Sequence, residues 1–89
     1  MCKEILKLIS DIQILSIQVS TTTKADVFLN YSGHVNLLEI SCYKDGWNKD
    51  NKEQAKYYYK DLYMNIDSDK TILRELIKSK ETLEGLLNE

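Results

Sequence analysis

The spacing of apolar residues changes twice along this chain, and this limits the folds open to it. From Ile5 to Val19 apolar residues recur three and four positions apart, which puts them on one face of a helix. From Ala25 to Tyr43 they alternate, which is the period of a strand. After Asp69 the helical spacing returns. The pattern predicts an α+β fold with strands between two helices.

Turn signals between these patterns set the expected boundaries. The predicted elements are a helix over Cys2–Val19, strands over Ala25–Tyr31 and His34–Tyr43, and a helix beginning at Asp67–Asp69. We expect a tight turn at Ser32-Gly33, since glycine accepts the positive φ that such a hairpin needs. Lys44-Asp45-Gly46 should end the second strand, and Ser79 or Gly85 could kink or fray the last helix.

The segment Ala55–Ile66 admits two interpretations. Its tyrosines and the partial alternation of Tyr58, Leu62, Met64 and Ile66 favour a third strand. A helix starting near Asp50 is the alternative. With a third strand, the chain becomes a single domain spanning residues 1–89, a three-stranded antiparallel meander with the N-terminal and C-terminal helices packed on one face.

Composition and charge argue against several classes of function. The net charge is −2, without the basic stripe that contact with a phosphate backbone requires, so we expect no direct nucleic-acid binding. Polar residues interrupt the apolar stretch Ile5–Val19, so we expect a soluble chain with no membrane span. Cys2 and Cys42 lack zinc-site spacing and are expected to be reduced thiols in a cytoplasmic protein.

Few residues could support catalysis or bind a metal. His34 is the single histidine and falls at a predicted turn. The acidic run from Asp45 superficially resembles a calcium loop, but its glycine is in the second position rather than the sixth. We therefore expect no enzyme activity, no cofactor and no metal site.

The aromatic residues are the remaining functional signal. Trp47 and Tyr57-Tyr58-Tyr59 bracket the charged loop, and in a strand Tyr57 and Tyr59 would share one side while Tyr58 takes the other. Exposed rings of this kind anchor interfaces, although they could also simply cover the sheet and stiffen strand pairing. The predicted partner-binding residues are Asp45, Trp47, Asp50, Glu53, Tyr57 and Tyr59.

Residues 27–47 carry a hydrophobic strand, a Ser-Gly-His-Val turn and a strand ending in Gly-Trp. This combination resembles small uncharacterised proteins encoded by phages and prophages of low-GC Gram-positive bacteria. The size, the element order and the acidic second half are also similar to some Cas9-inhibiting anti-CRISPR proteins. The resemblance implies a non-catalytic binding protein that inhibits a host protein, such as a defence nuclease, in the cytoplasm of the bacterial host cell. A self-associating structural or regulatory module, for example a homodimer, is the alternative.

Overall fold

A computed structural model describes residues 2–48, 50 and 54–88. The elements in chain order are α1 (Lys3–Thr22), β1 (Asp26–Ser32), β2 (Leu37–Tyr43), β3 (Tyr58–Tyr63) and α2 (Asp69–Leu87). The strands form one antiparallel sheet in the order β1-β2-β3. The predicted α-β-β-β-α meander is confirmed, and residues 58–63 are extended rather than helical.

Both helices pack on the same face of the sheet. Leu38, Ile40 and Cys42 alternate along β2 with their side chains directed inward, and all three are buried. Leu62 joins them from β3. The helices cover these residues with their own buried apolar side chains, which are Ile5, Ile12, Val19, Ile72, Leu76, Leu83 and Leu86. No helix among the described residues lies over the opposite face of the sheet.

The first helix is longer than predicted. It ends at Thr22 instead of Val19. Thr21, Thr22 and Thr23 donate their hydroxyls at 2.6–2.7 Å to the carbonyls of residues 17, 18 and 19, one turn back. The Val19 carbonyl also accepts the Thr23 N–H at 3.0 Å, so the hydroxyls share acceptors with the helical backbone and stay paired without leaving the helix.

The first hairpin also differs from its prediction. β2 begins at Leu37 instead of His34, and the connection is a four-residue turn over Gly33–Asn36. The residue with positive φ is Asn36, at 54°, and not Gly33. Asparagine tolerates this conformation, and here its side chain accepts a hydrogen bond of 2.9 Å from the Tyr31 hydroxyl.

The third strand and the last helix are bounded by local hydrogen bonds. β3 is shorter than the predicted Ala55–Ile66, because a turn after Tyr63 leaves Ile66 75% exposed. Ser68 then caps α2 by accepting from the Thr71 N–H at 3.2 Å. α2 continues through Ser79 and Gly85 without a break.

Candidate functional site

The uncovered side of the sheet forms a surface that we call the open face. It consists of outward side chains from all three strands and from the loop between β2 and β3. Its aromatic members are Phe28, Tyr43, Trp47, Tyr57, Tyr59 and Tyr63, and its acidic members are Asp26, Glu39 and Asp61.

The strand alternation around Tyr58 is the one predicted. Tyr57 and Tyr59 are 50% and 42% exposed on the open face, whereas Tyr58 points inward. The Tyr58 hydroxyl lies 2.7 Å from Ser79 Oγ, and Ser79 itself donates to the Glu75 carbonyl. Tyr58 is therefore the donor of this bond and ties β3 to α2.

A loop turn places Trp47 beside the first strand. Gly46 has a φ of 94°, and the next N–H, that of Trp47, donates to the Asp26 carboxylate at 2.7 Å. The Trp47 ring then meets Phe28 edge-on at a centroid distance of 6.2 Å, and Phe28 meets Tyr43 in the same way at 6.0 Å. Trp47 nevertheless stays 51% exposed.

Two exposed tyrosines, Tyr57 just before β3 and Tyr59 within it, are contacted by lysines. Lys56 Nζ lies 3.9 Å from the centroid of Tyr59, and Lys44 Nζ lies 5.2 Å from that of Tyr57. In the described part of the chain, both ring–ring contacts involve Phe28, so these two tyrosines belong to neither.

Two carboxylates face each other at the centre of the open face. Glu39 on β2 is directly opposite Asp61 on β3, which puts their Cβ atoms about 5 Å apart. Like charges in this position destabilise a sheet, and no ion pair among residues 2–48, 50 and 54–88 involves either of them. The open face therefore carries a local concentration of negative charge.

This charge acts on the neighbouring tyrosine. The Tyr59 hydroxyl donates to Asp61 at 2.5 Å, and this bond, with partial burial and the charges of Asp61 and Glu39, raises the pKa of Tyr59 to about 12.

We expect the Tyr59 hydroxyl to titrate near pH 12 when followed by the ¹³Cζ shift of labelled tyrosine, with Tyr59→Phe assigning the signal. The stabilisation from its bond to Asp61 is complete below pH 10 and is lost as the pH rises from about 10 to about 12, because the folded-state pKa is the higher one. Asp61→Asn removes the charge and should return the pKa toward 10. A wild-type titration near 10 would contradict this geometry.

Not all of the predicted contact residues reach the open face. Trp47, Tyr57 and Tyr59 belong to it, whereas Asp45 lines two grooves, one of about 400 Å³ with Thr22–Ala25 at the end of α1 and one with Lys56 and Tyr57. Asp50 is exposed in the loop, where its N–H donates to Asn48. Glu53 lies outside the described residues.

Sequence reasoning missed the members of the open face that come from within the strands. Phe28, Tyr43 and Glu39 alternate with the core positions. The period of two along each strand therefore predicts that they lie on the face of the sheet opposite the core. Asp61 and Tyr63 could not be assigned in the same way while a helix over residues 55–66 remained an alternative.

Residues with catalytic potential stand apart from one another. Cys42 is buried, and burial, with the nearby charge of Asp26, raises the pKa of its thiol. His34 is exposed in the first hairpin turn. Within residues 2–48, 50 and 54–88, no group of three or more His, Cys, Asp or Glu side chains is placed to hold a metal ion. No helix in the same residues is both long and apolar enough to cross a bilayer.

No protein-family model matches this chain, and comparison with curated proteins and with solved structures finds none that is similar.

Proposed function

We propose that the chain is a non-catalytic binding protein and that the open face is its contact surface. The observation that carries this proposal is a sheet that the described helices cover on one side, with six aromatic side chains on the other. Large rings lose little conformational entropy on docking and bury much area, so they contribute strongly to protein interfaces.

The charges on this surface favour a basic partner. Glu39 and Asp61 repel each other in the free protein, and a lysine or arginine from a partner would relieve that repulsion. An arginine suits the two carboxylates best, because it can form paired hydrogen bonds with a carboxylate, while Lys44 and Lys56 already lie over the rings of Tyr57 and Tyr59. The partner surface is then basic and partly apolar.

A nuclease of the bacterial host fits this description. Proteins that hold nucleic acid carry lysine- and arginine-rich grooves, which are complementary to the open face. The resemblance of residues 27–47 to phage and prophage proteins supports the same kind of partner, a host defence protein such as Cas9. Its inhibition would take place in the cytoplasm of the bacterial host.

Affinity capture from a bacterial lysate tests the proposal with three baits: the wild type, the double variant Glu39→Lys/Asp61→Lys, and the control Glu81→Lys/Glu84→Lys. The control makes the same charge change on exposed positions of α2. We expect a nucleic-acid-processing protein on the wild type and the control. Its affinity for the open-face variant should be about tenfold lower, since reversed charges oppose a basic partner. Equal capture by all three baits, or no specific partner, would contradict the proposal.

A further inference from the structure

The two edges of the sheet differ in their protection against pairing with another strand. At the β3 edge Lys60 points inward and pairs with Glu75 at 3.5 Å, and Arg74 and Lys78 also lie within 4 Å of this carboxylate. Charged residues at an edge strand discourage a further strand from adding there. β1 carries a charge only at its first residue, Asp26, and residues 27–36 contain no lysine, acid or proline.

The free edge of β1 offers hydrogen-bonding groups. The Val27 N–H donates to Ser20 Oγ at 3.0 Å and so points away from β2. Because the direction of backbone groups alternates along a strand, the N–H groups of Leu29 and Tyr31 point the same way. Ser20 occupies one end of the edge and leaves the rest available.

An uncharged helix surface continues from this edge. Gln13, Ser16, Ile17 and Ser20 of α1 form a shallow groove with residues 27–30 of β1. No residue between Ile12 and Thr23 is charged, and Ile14 and Ile17 are both 54% exposed on the side of α1 that includes this groove. The backbone N–H groups at the edge of β1 and the apolar side chains of α1 thus form one continuous surface.

We propose that this surface binds a second copy of the chain, with β1 pairing antiparallel to its own copy about a two-fold axis near Leu29 or Asn30. In that arrangement Asp26, the one charged residue of β1, faces Ser32 or His34 of the other copy, so no like charges meet. The helix α1 lies beside its own copy, and Ile14 and Ile17 become covered. The result is one continuous six-stranded sheet with all four helices on one side.

The size of the surface sets the strength of this dimer. The molecule measures 35 × 28 × 16 Å, so its narrow sides offer roughly 450–560 Å² in projection, below the ~800 Å² per partner of a standard interface. The dimer is therefore reversible and depends on concentration. The two open faces lie on the same side of the combined sheet. The pairing itself does not rest on the function proposed for the open face.

Sedimentation velocity from about 1 µM to about 1 mM tests the pairing, because this range spans a weak dissociation constant. We expect the wild type to shift from monomer to dimer. Ile17→Lys, which places like charges near the axis, should raise the dissociation constant at least tenfold. Ile77→Lys, on a 46% exposed position of α2, should leave it unchanged. An equimolar mixture of Ile17→Lys and Ile17→Glu should recover the dimer.

Hydrogen exchange identifies the strand involved. The amides of Leu29 and Tyr31 should exchange more slowly at the high concentration than at the low one in the wild type, and equally at both in Ile17→Lys. A wild type that stays monomeric at about 1 mM, equal weakening by Ile17→Lys and Ile77→Lys, or amide exchange independent of concentration would overturn the proposal. None of these results would affect capture of a partner by the open face.

Discussion

Ile40→Ala is expected to lower the free energy of unfolding by about 2–5 kcal/mol, as other large-to-small changes in protein cores do. Ile40 is fully buried at the centre of β2, between Leu29 on one neighbouring strand and Lys60 on the other. The loss is large for a domain of this size, whose total stability is expected to be about 5–15 kcal/mol. Urea denaturation, followed by circular dichroism, measures this loss in the free energy of unfolding.

Ile66→Ala is the matched control. It deletes the same atoms from a side chain that is 75% exposed, so it should change stability by no more than about 0.5 kcal/mol. Equal losses for the two variants would show that the middle of β2 is not the centre of the core.

Gly46→Ala is expected to cost about 1–3 kcal/mol, the range for a residue held in a sparsely populated backbone conformation. Gly46 has a φ of 94°, and a Cβ there would lie 3.1 Å from the Lys24 carbonyl oxygen. This contact is with backbone, which cannot move aside as a flexible side chain could. Relief of the clash would displace the Trp47 N–H from Asp26, so the tryptophan should become more mobile as well as the fold weaker.

Gly33→Ala provides the comparison for this change. Its added Cβ would meet nothing closer than the Tyr31 ring at 3.8 Å, an ordinary contact, and its φ is not in the left-handed region. We expect a change within about 0.5 kcal/mol in thermal or urea denaturation. The anisotropy of Trp47 fluorescence should fall in Gly46→Ala and stay at the wild-type value in Gly33→Ala. A Gly46→Ala variant as stable as the wild type would contradict the turn geometry.

The element order could be predicted because hydrophobic period and burial agree along most of the chain. Along β2 the apolar positions Leu38, Ile40 and Cys42 are the buried ones, so the strand and its inward side followed from the sequence alone. The Ser68 cap was readable for a similar reason, since serine before an apolar helical repeat is a local signal.

The boundaries that differed depend on hydrogen bonds that composition does not reveal. Three consecutive threonines are typical of a strand or a connector, yet here two of them continue α1 and their hydroxyls bond to carbonyls one turn back. The prediction for the first hairpin was wrong because positive φ was expected at Gly33. Asn36 adopts it instead, and its side chain accepts a hydrogen bond from Tyr31. Such choices are decided by contacts between residues several positions apart.

The composition of the open face was only partly predictable. Trp47, Tyr57 and Tyr59 stood out as a cluster in the sequence, but Glu39 and Asp61 become neighbours only through the β2–β3 register. Asp45 was predicted as one of the loop carboxylates. It lies beside Tyr57 and also beside the end of α1, and neither neighbour is close to it in the sequence.

A sheet with helices on one side divides each strand into two sets of positions under different physical constraints. On β2, changes at 38, 40 and 42 disturb the core, whereas 39, 41 and 43 face away from it. Glu39 and Tyr43 act on the sheet only through cross-strand neighbours, the Asp61 carboxylate and the Phe28 ring. Replacing outward side chains can therefore change the chemistry of the open face while the packing beneath it stays the same.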